Sequence, residues 1–432
     1  MLATTPSGSW SIRSVIAASW KTVSVAIARF RLAVATELET LAKTLTQEVG
    51  KPLAQSRNEL NGFLARIDFF LAATEETLAP RQVYDEGGMR EVITHDPLGV
   101  IANISAWNYP YFVGANVFVP ALLTGNTVLY KPSEFATLTG LEIGKLLHLS
   151  GIPQDVFAVA IGTGEVGRAV LAQRVDGVFF TGSYATGARI AQEVGPRMIK
   201  LQLELGGKDP AYVCEDVDVA AAAASLADGA MYNAGQSCCS VERIYVHESL
   251  HDAFVERFVA TVKGFKVGDP MAADTYIGAI TRAPQLAVLD AQVADAKAKG
   301  ATLRTGGERL PGPGNWYAPT VFTHVNHTME LMREESFGPI IGIQKVRNDD
   351  EAVRLMNDTR YGLTAGVYTN DEAKARELLG RVNAGSVYWN CCDRVSPRLP
   401  WSGYGDSGIG LTLSTAGIQT FTRPKAWHLR SP

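Results

Sequence analysis

One cysteine, Cys238, ends the segment Gly235-Gln236-Ser237-Cys238, directly after an alanine-rich stretch that is predicted to be a helix. A thiol becomes a nucleophile once it is deprotonated, and it can then bond covalently to an electrophilic carbon. A cysteine can also be a small apolar core residue with no part in chemistry. For Cys238 by itself the inert core residue is the better interpretation, so the accompanying motifs must decide.

An isolated acid, Glu204, lies between two leucines in Leu203-Glu204-Leu205-Gly206-Gly207. The apolar neighbours predict the end of a buried strand, where the loss of water raises the pKa of a carboxyl group. A carboxylate with a raised pKa suits general-base catalysis near neutral pH. Without the other motifs, a solvated acid at a strand end would explain Glu204 equally well.

A third candidate, Asn108, follows a predicted strand in Ala106-Trp107-Asn108-Tyr109-Pro110. An asparagine amide at the mouth of a strand can donate a hydrogen bond to an oxygen that develops negative charge. Asparagine near proline is also common in turns. Asn108 is therefore either an oxyanion donor or a turn residue.

The fourth segment is Phe180-Thr181-Gly182-Ser183, with Gly187 beyond it. Its small residues predict a tight turn that opens a helix, where free backbone N–H groups can bind a pyrophosphate. A plain tight turn is the alternative. The four segments together supply a nucleophile, a base, an oxyanion donor and a phosphate site.

The elements that must position these residues can be predicted from hydrophobic spacing. Residues 19–78 predict consecutive helices, and two short strands at 82–84 and 90–94 flank a Gly-rich turn. Buried strands are predicted at 99–104, 126–130, 156–161 and 177–180, each followed by turn residues and a helical pattern. A second series near residue 210 has a helix at 220–233, a strand at 243–246 and a helix at 250–263. This alternation predicts an α/β fold, a parallel sheet with helices on both faces.

The segment Gly162-Thr163-Gly164-Glu165-Val166-Gly167 matches a GxGxxG dinucleotide motif after a strand. About 20 residues further on, where a ribose-binding acid belongs, Thr181-Gly182-Ser183 stands instead. The motif is weak evidence for a cofactor contact.

The segment His247-Glu248-Ser249-Leu250-His251 spells the HExxH pattern of zinc proteases. That chemistry needs both histidines on one face of a helix. Here His247 ends a predicted strand and the helix starts after it. We therefore expect no metal site.

Composition describes a globular protein of two or three domains: 432 residues, 46% hydrophobic and 19% charged. A net charge of −4 gives no electrostatic reason to expect nucleic acid or an anionic membrane as partner. The apolar run at 117–123 is too short to span a bilayer. An odd number of cysteines, 5, indicates reduced thiols in the cytoplasm.

Residues 1–36 contain no acid and four basic residues, Arg13, Lys21, Arg29 and Arg31. This composition is typical of organelle transit peptides. A basic first helix is the preferred interpretation, so organelle targeting stays open as the alternative.

From about Ser19 to its C-terminus, the sequence resembles the NAD(P)-dependent aldehyde dehydrogenase superfamily. The family's motifs occur in the family's order: Trp107-Asn108-Tyr109-Pro110, Lys131-Pro132-Ser133-Glu134, Gly182-Ser183, Leu203-Glu204-Leu205-Gly206-Gly207, Gly235-Gln236-Ser237-Cys238, Glu335-Ser336-Phe337-Gly338-Pro339 and Pro400-Trp401-Ser402-Gly403. The sequence starts late, without the strands that usually precede the first helices in the family. Ser402 replaces the commoner second glycine, and Gly405 stands where many members have lysine.

The resemblance implies a Rossmann-like cofactor domain at 1–78 and 98–206 and a catalytic α/β domain at 207–410. It also implies a small β oligomerisation element at 79–97 and 411–432. A homodimer or homotetramer would form as tail strands add to a neighbour's sheet, which hides an exposed edge.

The resemblance also implies the chemistry. Cys238 attacks an aldehyde to give a thiohemiacetal, whose oxyanion is held by Asn108 and the Cys238 N–H. Hydride transfer to NAD, with NADP as a possible substitute, leaves a thioester, and water activated by Glu204 hydrolyses it. The expected cofactor-binding residues are Trp107, Lys131, Ser133, Glu134, Gly182, Ser183, Leu205, Glu335 and Phe337. The glycines at 162–167 would then be peripheral.

A mostly apolar pocket is implied for the aldehyde, lined by Tyr109, Phe112, Val113, Asn116, Ser237, Cys239, Val395 and Trp401. Such a pocket suits a medium aliphatic or aromatic aldehyde. Arg394 and Arg398 could instead meet a substrate carboxylate, although solvated loop arginines are the preferred interpretation.

Two rival functions remain. In a CoA-acylating dehydrogenase, CoA and not water would take the acyl group, and Glu204 counts against this. A catalytically silent member would serve as a binding or structural protein. Esterase action by the same thiol is expected only as a side activity.

Overall fold

Three consecutive helices open the structure, as the helical spacing predicts. A computed structural model describes residues 20–431. The helices are α1 (Trp20–Thr36), α2 (Leu38–Val49) and α3 (Leu53–Leu78). The basic residues Lys21, Arg29 and Arg31 lie on α1, whereas the earlier part of the basic segment, residues 1–19, lies outside the described residues.

A hairpin follows the helices and contains both short strands predicted there. It consists of β1 (Arg81–Glu86) and β2 (Met89–Pro97), paired antiparallel. Gly87 and Gly88 between them have φ values of 59° and 77°. Two-residue hairpin turns need this left-handed conformation, which glycine adopts without strain.

The next part of the chain alternates strands with helices and forms the first large sheet. Its strands are β3 (Val100–Ile104), β4 (Thr127–Lys131), β5 (Phe157–Val159), β6 (Gly177–Thr181) and β7 (Lys200–Glu204). The helices are α4 (Pro110–Leu123), α5 (Thr137–Leu149), α6 (Gly164–Leu171) and α7 (Tyr184–Val194). The five strands are parallel in the order β7-β6-β3-β4-β5.

Helices cover both faces of this sheet, as expected. Successive side chains of a strand point to opposite faces, and neighbouring residues of β6 accordingly enter different cores. Phe179 packs into a core shared with helices α1 to α5, including Phe30 and Phe118. Phe180 packs into a second core with Ile190 of α7.

Several candidate residues follow strands of this sheet at a single edge. Because the strands are parallel, their carboxyl ends meet at one edge of the sheet. Asn108 follows β3, Ser133 follows β4, Ser183 follows β6 and Glu204 ends β7. The topology therefore gathers motifs that are far apart in the sequence.

A second large sheet forms from the remaining strands, again with helices between them. The strands are β8 (Asp209–Val213), β9 (Val241–His247), β10 (Thr302–Thr305), β11 (Thr320–Thr323), β12 (Ile340–Val346), β13 (Thr364–Tyr368) and β14 (Ser386–Trp389). The helices are α8 (Val219–Met231), α9 (His251–Gly264), α10 (Ala283–Ala298), α11 (Asp349–Asn357) and α12 (Glu372–Gly380). The order is β10-β11-β12-β9-β8-β13-β14, and only the β10 pairing is antiparallel.

The C-terminal segment returns to the first half of the molecule. It contains β15 (Gly408–Ile409), α13 (Ser414–Gln419) and β16 (Thr422–Arg430). β15 pairs antiparallel with β7, although the division predicted from the sequence assigns residues 408–410 to the second domain. β16 pairs antiparallel with β2 of the same chain along its whole length.

Candidate active site

The loop that carries Cys238 has an unusual backbone. After α8, Asn233 and Ala234 have φ values of 52° and 55°, a conformation that is uncommon outside glycine and costs free energy. The next residue, Gly235, has φ 69°, and any side chain there would collide with the Gly338 carbonyl. The surrounding structure must hold this turn, since the Asn233 N–H donates to Gln55 Oε1 at 2.9 Å.

Cys238 lines a cavity of about 610 Å³. The structure brings all the residues expected to contact the substrate to this cavity: Tyr109, Phe112, Val113, Asn116, Ser237, Cys239, Val395 and Trp401. Arg394 also lines it, whereas Arg398 is not among the lining residues, and both side chains are exposed.

The two adjacent thiols differ in their surroundings. Cys239 is buried, and its Sγ donates to Asp393 Oδ1 at 3.0 Å, so this thiol is engaged by the protein. Cys238 is half-buried. Its interaction with Cys239 lowers the pKa of Cys238, but burial and then the carboxylate of Glu204 leave that pKa above its ordinary value. Of the two thiols, Cys238 is the more exposed.

Glu204 is buried at the end of β7. Its Oε1 accepts a hydrogen bond from Trp401 Nε1 at 2.6 Å, and its Oε2 has no hydrogen-bond partner within residues 20–431. Burial raises the pKa of Glu204 to about 8, and the Trp401 bond opposes this rise. The carboxyl group therefore titrates close to neutral pH, as its apolar neighbours predict.

Asn108 is buried against the cysteine loop. Its Nδ2 donates to the Gln236 carbonyl at 3.1 Å, two residues before Cys238. Asn233 Nδ2 donates to the same carbonyl at 3.1 Å. An amide nitrogen carries two hydrogens, so Asn108 retains one N–H beyond the bond to Gln236.

The two glycines after Glu204 permit close approach of other parts of the site. A Cβ on Gly206 would lie 2.5 Å from Glu335 Oε2, and a Cβ on Gly207 would lie 2.5 Å from the Cys238 carbonyl oxygen. The Gly207 N–H donates to Glu335 Oε1 at 3.1 Å. This segment therefore joins Glu204, the cysteine loop and Glu335.

A second cavity, of about 580 Å³, opens at the carboxyl edge of the first sheet. Six of the nine residues expected to bind cofactor line it: Trp107, Lys131, Ser133, Glu134, Gly182 and Ser183. Ser183 is the N-cap of α7, but its side chain makes no capping bond and donates to Thr186 Oγ1 at 3.2 Å. The free N–H groups of this helix end fit an anionic group such as a pyrophosphate.

Lys131 and Glu134 lie together in this cavity. Lys131 is buried, and its Nζ donates to the Pro132 carbonyl at 3.0 Å and lies 3.4 Å from Glu134 Oε2. The Glu134 side chain is 42% exposed. A cation and an accessible carboxylate side by side fit the hydroxyl groups of a sugar.

The other three expected residues, Leu205, Glu335 and Phe337, do not line the second cavity. Leu205 is buried in the core and packs against Gly187. The Phe337 ring contacts Trp107 edge-on, with centroids 5.6 Å apart. Through Trp107 and the glycines after Glu204, Phe337 and Glu335 link the second cavity to the cysteine loop.

The sequence analysis did not identify Glu242 and Lys208, which support the backbone next to Glu335 and at Phe337. Glu242 Oε2 accepts from Lys208 Nζ at 2.6 Å and from the Ser336 N–H at 2.8 Å, and Oε1 accepts from the Phe337 N–H at 3.1 Å. Phe337 has φ 46°, so its backbone needs such support. Glu242 lies in β9, and its local sequence does not predict a buried ion pair.

The loop with the glycines at 162–167, predicted to be peripheral to the cofactor, flanks the second cavity. Gly164 and Gly167, at the start of α6, line the same cavity as Glu134 and Ser183. The reason is strand order, because β5 lies beside β4 and its loop flanks the same edge.

The HExxH segment is an ordinary strand-to-helix junction. His247 ends β9 and bonds through Nδ1 to Ser249 Oγ at 2.7 Å, whereas His251 begins α9 and bonds to Asp252 Oδ1 at 2.7 Å. Ser249 does not cap the helix, since it bonds to His247. Within residues 20–431, no group of three or more His, Cys, Asp or Glu side chains could hold a metal ion.

This chain is similar to known proteins along most of its length. The aldehyde dehydrogenase family model matches residues 16–427. The 3,6-anhydro-α-L-galactose dehydrogenase of Streptomyces coelicolor is 36% identical over 409 residues, 93% of this chain and 82% of the relative. The NADP-dependent succinate-semialdehyde dehydrogenase of Deinococcus radiodurans is 34% identical, over 90% of this chain and 81% of the relative.

Solved structures of aldehyde dehydrogenases have the same fold as this chain. An NAD-dependent aldehyde dehydrogenase from Sinorhizobium meliloti has a TM-score of 0.92 at 33% identity, over 97% of this chain and 86% of that one. A betaine aldehyde dehydrogenase variant from Staphylococcus aureus, in complex with NAD+, has a TM-score of 0.93 at 28% identity, over 98% of this chain and 88% of that one. The fold and the site define an oxidoreductase of the α/β class. The chain belongs to the aldehyde dehydrogenase family.

One general property follows from the helices. None of those between residues 20 and 431 is long and apolar enough to cross a membrane.

Proposed function

We propose that this protein oxidises an aldehyde to a carboxylic acid with reduction of NAD, or of NADP as a second choice, through a covalent bond to Cys238. The main support is one combination of features. Cys238 lines a cavity large enough for a small organic molecule, next to a buried carboxyl group whose pKa is raised to about 8 and a buried amide.

In the first step, the Cys238 thiol loses its proton to solvent, and the thiolate sulfur bonds to the aldehyde carbon as the π bond of the carbonyl breaks. Because the pKa of Cys238 lies above its ordinary value, this step should be faster at alkaline pH. The carbonyl oxygen becomes negatively charged. The remaining Asn108 N–H and the Cys238 backbone N–H stabilise that charge.

The second cavity would hold the cofactor that accepts electrons from the substrate. Gly182 and Ser183 would hold the pyrophosphate, Lys131, Ser133 and Glu134 the adenosine ribose, and Trp107, Leu205, Glu335 and Phe337 the nicotinamide half. The nicotinamide, when bound, accepts the hydride that leaves the substrate carbon. The carbon then remains attached to Cys238 as a thioester.

Glu204 completes the reaction. One of its carboxylate oxygens is held by Trp401, and the other has no partner and can accept a proton from water. The activated water attacks the thioester, the carbon–sulfur bond breaks and the acid leaves. A buried base beside the cysteine supports hydrolysis over transfer of the acyl group to CoA.

The domain division, the oligomeric state and the cellular compartment are also part of the proposal. We propose the division into cofactor, catalytic and oligomerisation domains given above. We propose a homodimer or homotetramer built on the sheet of β1, β2 and β16, since many side chains of β1 and β16 are exposed. The free state of all five cysteines supports a reducing compartment such as the cytoplasm.

The test is a panel of aldehydes with NAD and with NADP, followed by the absorbance of the reduced nicotinamide, with and without CoA. We expect reduced cofactor and free acid without CoA. Turnover that requires CoA would instead identify an acylating enzyme. Cofactor binding without any turnover would identify a silent member of the family.

A further inference from the structure

The cavity that contains Cys238 has a buried cation in its wall. Arg66 of α3 lines this cavity and is only 3% exposed. Its Nε donates to Asn116 Oδ1 at 3.1 Å, and its Nη1 lies 3.4 Å from the Gly62 carbonyl. Burial lowers the pKa of Arg66 to about 10, so the guanidinium remains charged at neutral pH.

The guanidinium is held rigidly by its neighbours. Its central carbon lies 3.6 Å from the centroid of the Phe112 ring. A Cβ on Gly62 would come within 2.6 Å of the same ring, so glycine is needed for this packing. The side chain of Asn116 holds the guanidinium nitrogen Nε of Arg66 in place. The planar guanidinium of Arg66 is thus fixed at the cavity wall. A fixed planar group of N–H donors suits the binding of a carboxylate.

No carboxylate among residues 20–431 forms an ion pair with Arg66. The acids around the cavity already have protein partners: Glu59 is paired with Lys51, Asp228 accepts from the Tyr276 hydroxyl, and Asp393 accepts from Cys239. Within residues 20–431, the hydrogen bonds of the Arg66 guanidinium use Nε and Nη1. The Glu59 carboxylate stabilises the Arg66 charge electrostatically without forming an ion pair with it. A buried charge is costly, and a ligand of opposite charge bound at the guanidinium would offset more of that cost.

We propose that the substrate aldehyde carries a carboxylate at the end remote from its carbonyl carbon, and that Arg66 binds this group. The proposal rests on the proposed function and names its substrate class. Arg394 lines the same cavity and adds a second, exposed positive charge.

The test compares aldehydes of equal length, 5-oxopentanoate with pentanal and 4-oxobutanoate with butanal. We expect the wild-type protein to have the higher kcat/KM for both oxo acids. Arg66→Gln should lower kcat/KM for the oxo acids by about 10- to 100-fold, the effect of one charged hydrogen-bonding group, and leave the plain aldehydes little changed. Arg66→Lys keeps the charge but loses the planar fork, so its effect should be intermediate. Arg398→Gln, an exposed arginine outside the cavity lining, should behave as wild type.

Binding of glutarate, the product from 5-oxopentanoate, gives a readout that does not depend on turnover. Calorimetry should find binding to the wild-type protein that is weakened in Arg66→Gln. An equal loss of kcat/KM for both members of each pair would overturn the proposal, because it would indicate a purely structural arginine. Oxidation of pentanal without preference for the oxo acid would overturn it while the proposed function stands. Arg66-dependent glutarate binding without turnover of any aldehyde would support the anion site and refute the proposed function.

Discussion

Trp401 Nε1 donates a hydrogen bond of 2.6 Å to Oε1 of the buried Glu204, while Oε2 of the same carboxyl group has no partner. The tryptophan is itself fixed, because its backbone exchanges hydrogen bonds of 2.8 and 2.9 Å with Thr412. A residue predicted only as part of the substrate wall therefore also orients the proposed base and leaves one of its oxygens free.

The first prediction concerns this bond. Burial raises the pKa of Glu204 to about 8 and the indole N–H lowers it, so Trp401→Phe should raise that pKa further. The base acts only when deprotonated, so hydrolysis should be slower at neutral pH and recover at higher pH. The measurement is the steady-state rate against pH. Trp389→Phe, at an exposed indole that bonds to a backbone carbonyl, is the matched control. An unshifted profile in Trp401→Phe would refute the positioning role.

The second prediction separates the two adjacent thiols. Cys238→Ala should abolish dehydrogenase turnover while NAD still binds, because the nucleophile is lost. Cys239→Ala should keep a substantial part of the activity, since that thiol is buried and bonded to Asp393. Turnover and cofactor binding are measured for both variants. The reverse pattern, an active Cys238→Ala and a dead Cys239→Ala, would exchange the assignments.

The third prediction separates the base from the oxyanion donor. Glu204→Gln should slow the steady rate by about 10²- to 10⁴-fold yet retain a rapid first burst of reduced cofactor. Asn108→Ala should cost about 10²- to 10³-fold and slow the burst itself, because the amide acts before the thioester forms. Stopped-flow measurement of the burst distinguishes the two. Identical bursts would show that the two residues do not act at separate steps.

The fourth prediction concerns cofactor choice. A 2′-phosphate on the adenosine ribose would face the Glu134 carboxylate, so we expect NADP to be disfavoured by about five- to thirtyfold in kcat/KM. Glu134→Ser should erase most of this preference, mainly by improving the use of NADP. The released Lys131, now 3.4 Å from Glu134, could then pair with the phosphate. The ratio of kcat/KM for the two cofactors is measured in both proteins. A wild-type preference for NADP would mean that Lys131 already dominates.

The fifth prediction concerns the buried pair Lys208 and Glu242. Glu242→Gln leaves the Lys208 charge without its counterion, which should destabilise the protein by about 3–5 kcal/mol. It also weakens the hold on the backbone of Ser336 and Phe337, so the KM for the cofactor should rise. Thermal midpoint and cofactor KM are the two measurements. Adding Lys208→Met to Glu242→Gln should recover part of the stability but not the KM. Recovery of both would show that the pair has no part in cofactor binding.

The strands, the helices and the candidate catalytic side chains could be predicted from the sequence because they depend on local properties. Side-chain periodicity predicts most elements to within a few residues, and the apolar neighbours of Glu204 predict its raised pKa. The glycines beside it also belong to a recognisable motif, although only the structure explains them, as gaps for Glu335 and for the Cys238 carbonyl.

What the tertiary structure alone decided are contacts between residues far apart in the chain. Trp401 reaches Glu204 across 197 positions, and Arg66 reaches Asn116 across 50. The Gly164 loop flanks the second cavity because β5 is placed beside β4. Local sequence carries no signal for such pairs, since an arginine on a helix or a glutamate in a strand is usually solvated. Arg66 is singled out by its burial and by the lack of an ion-paired carboxylate among residues 20–431. Both arise when the helices pack around the sheet.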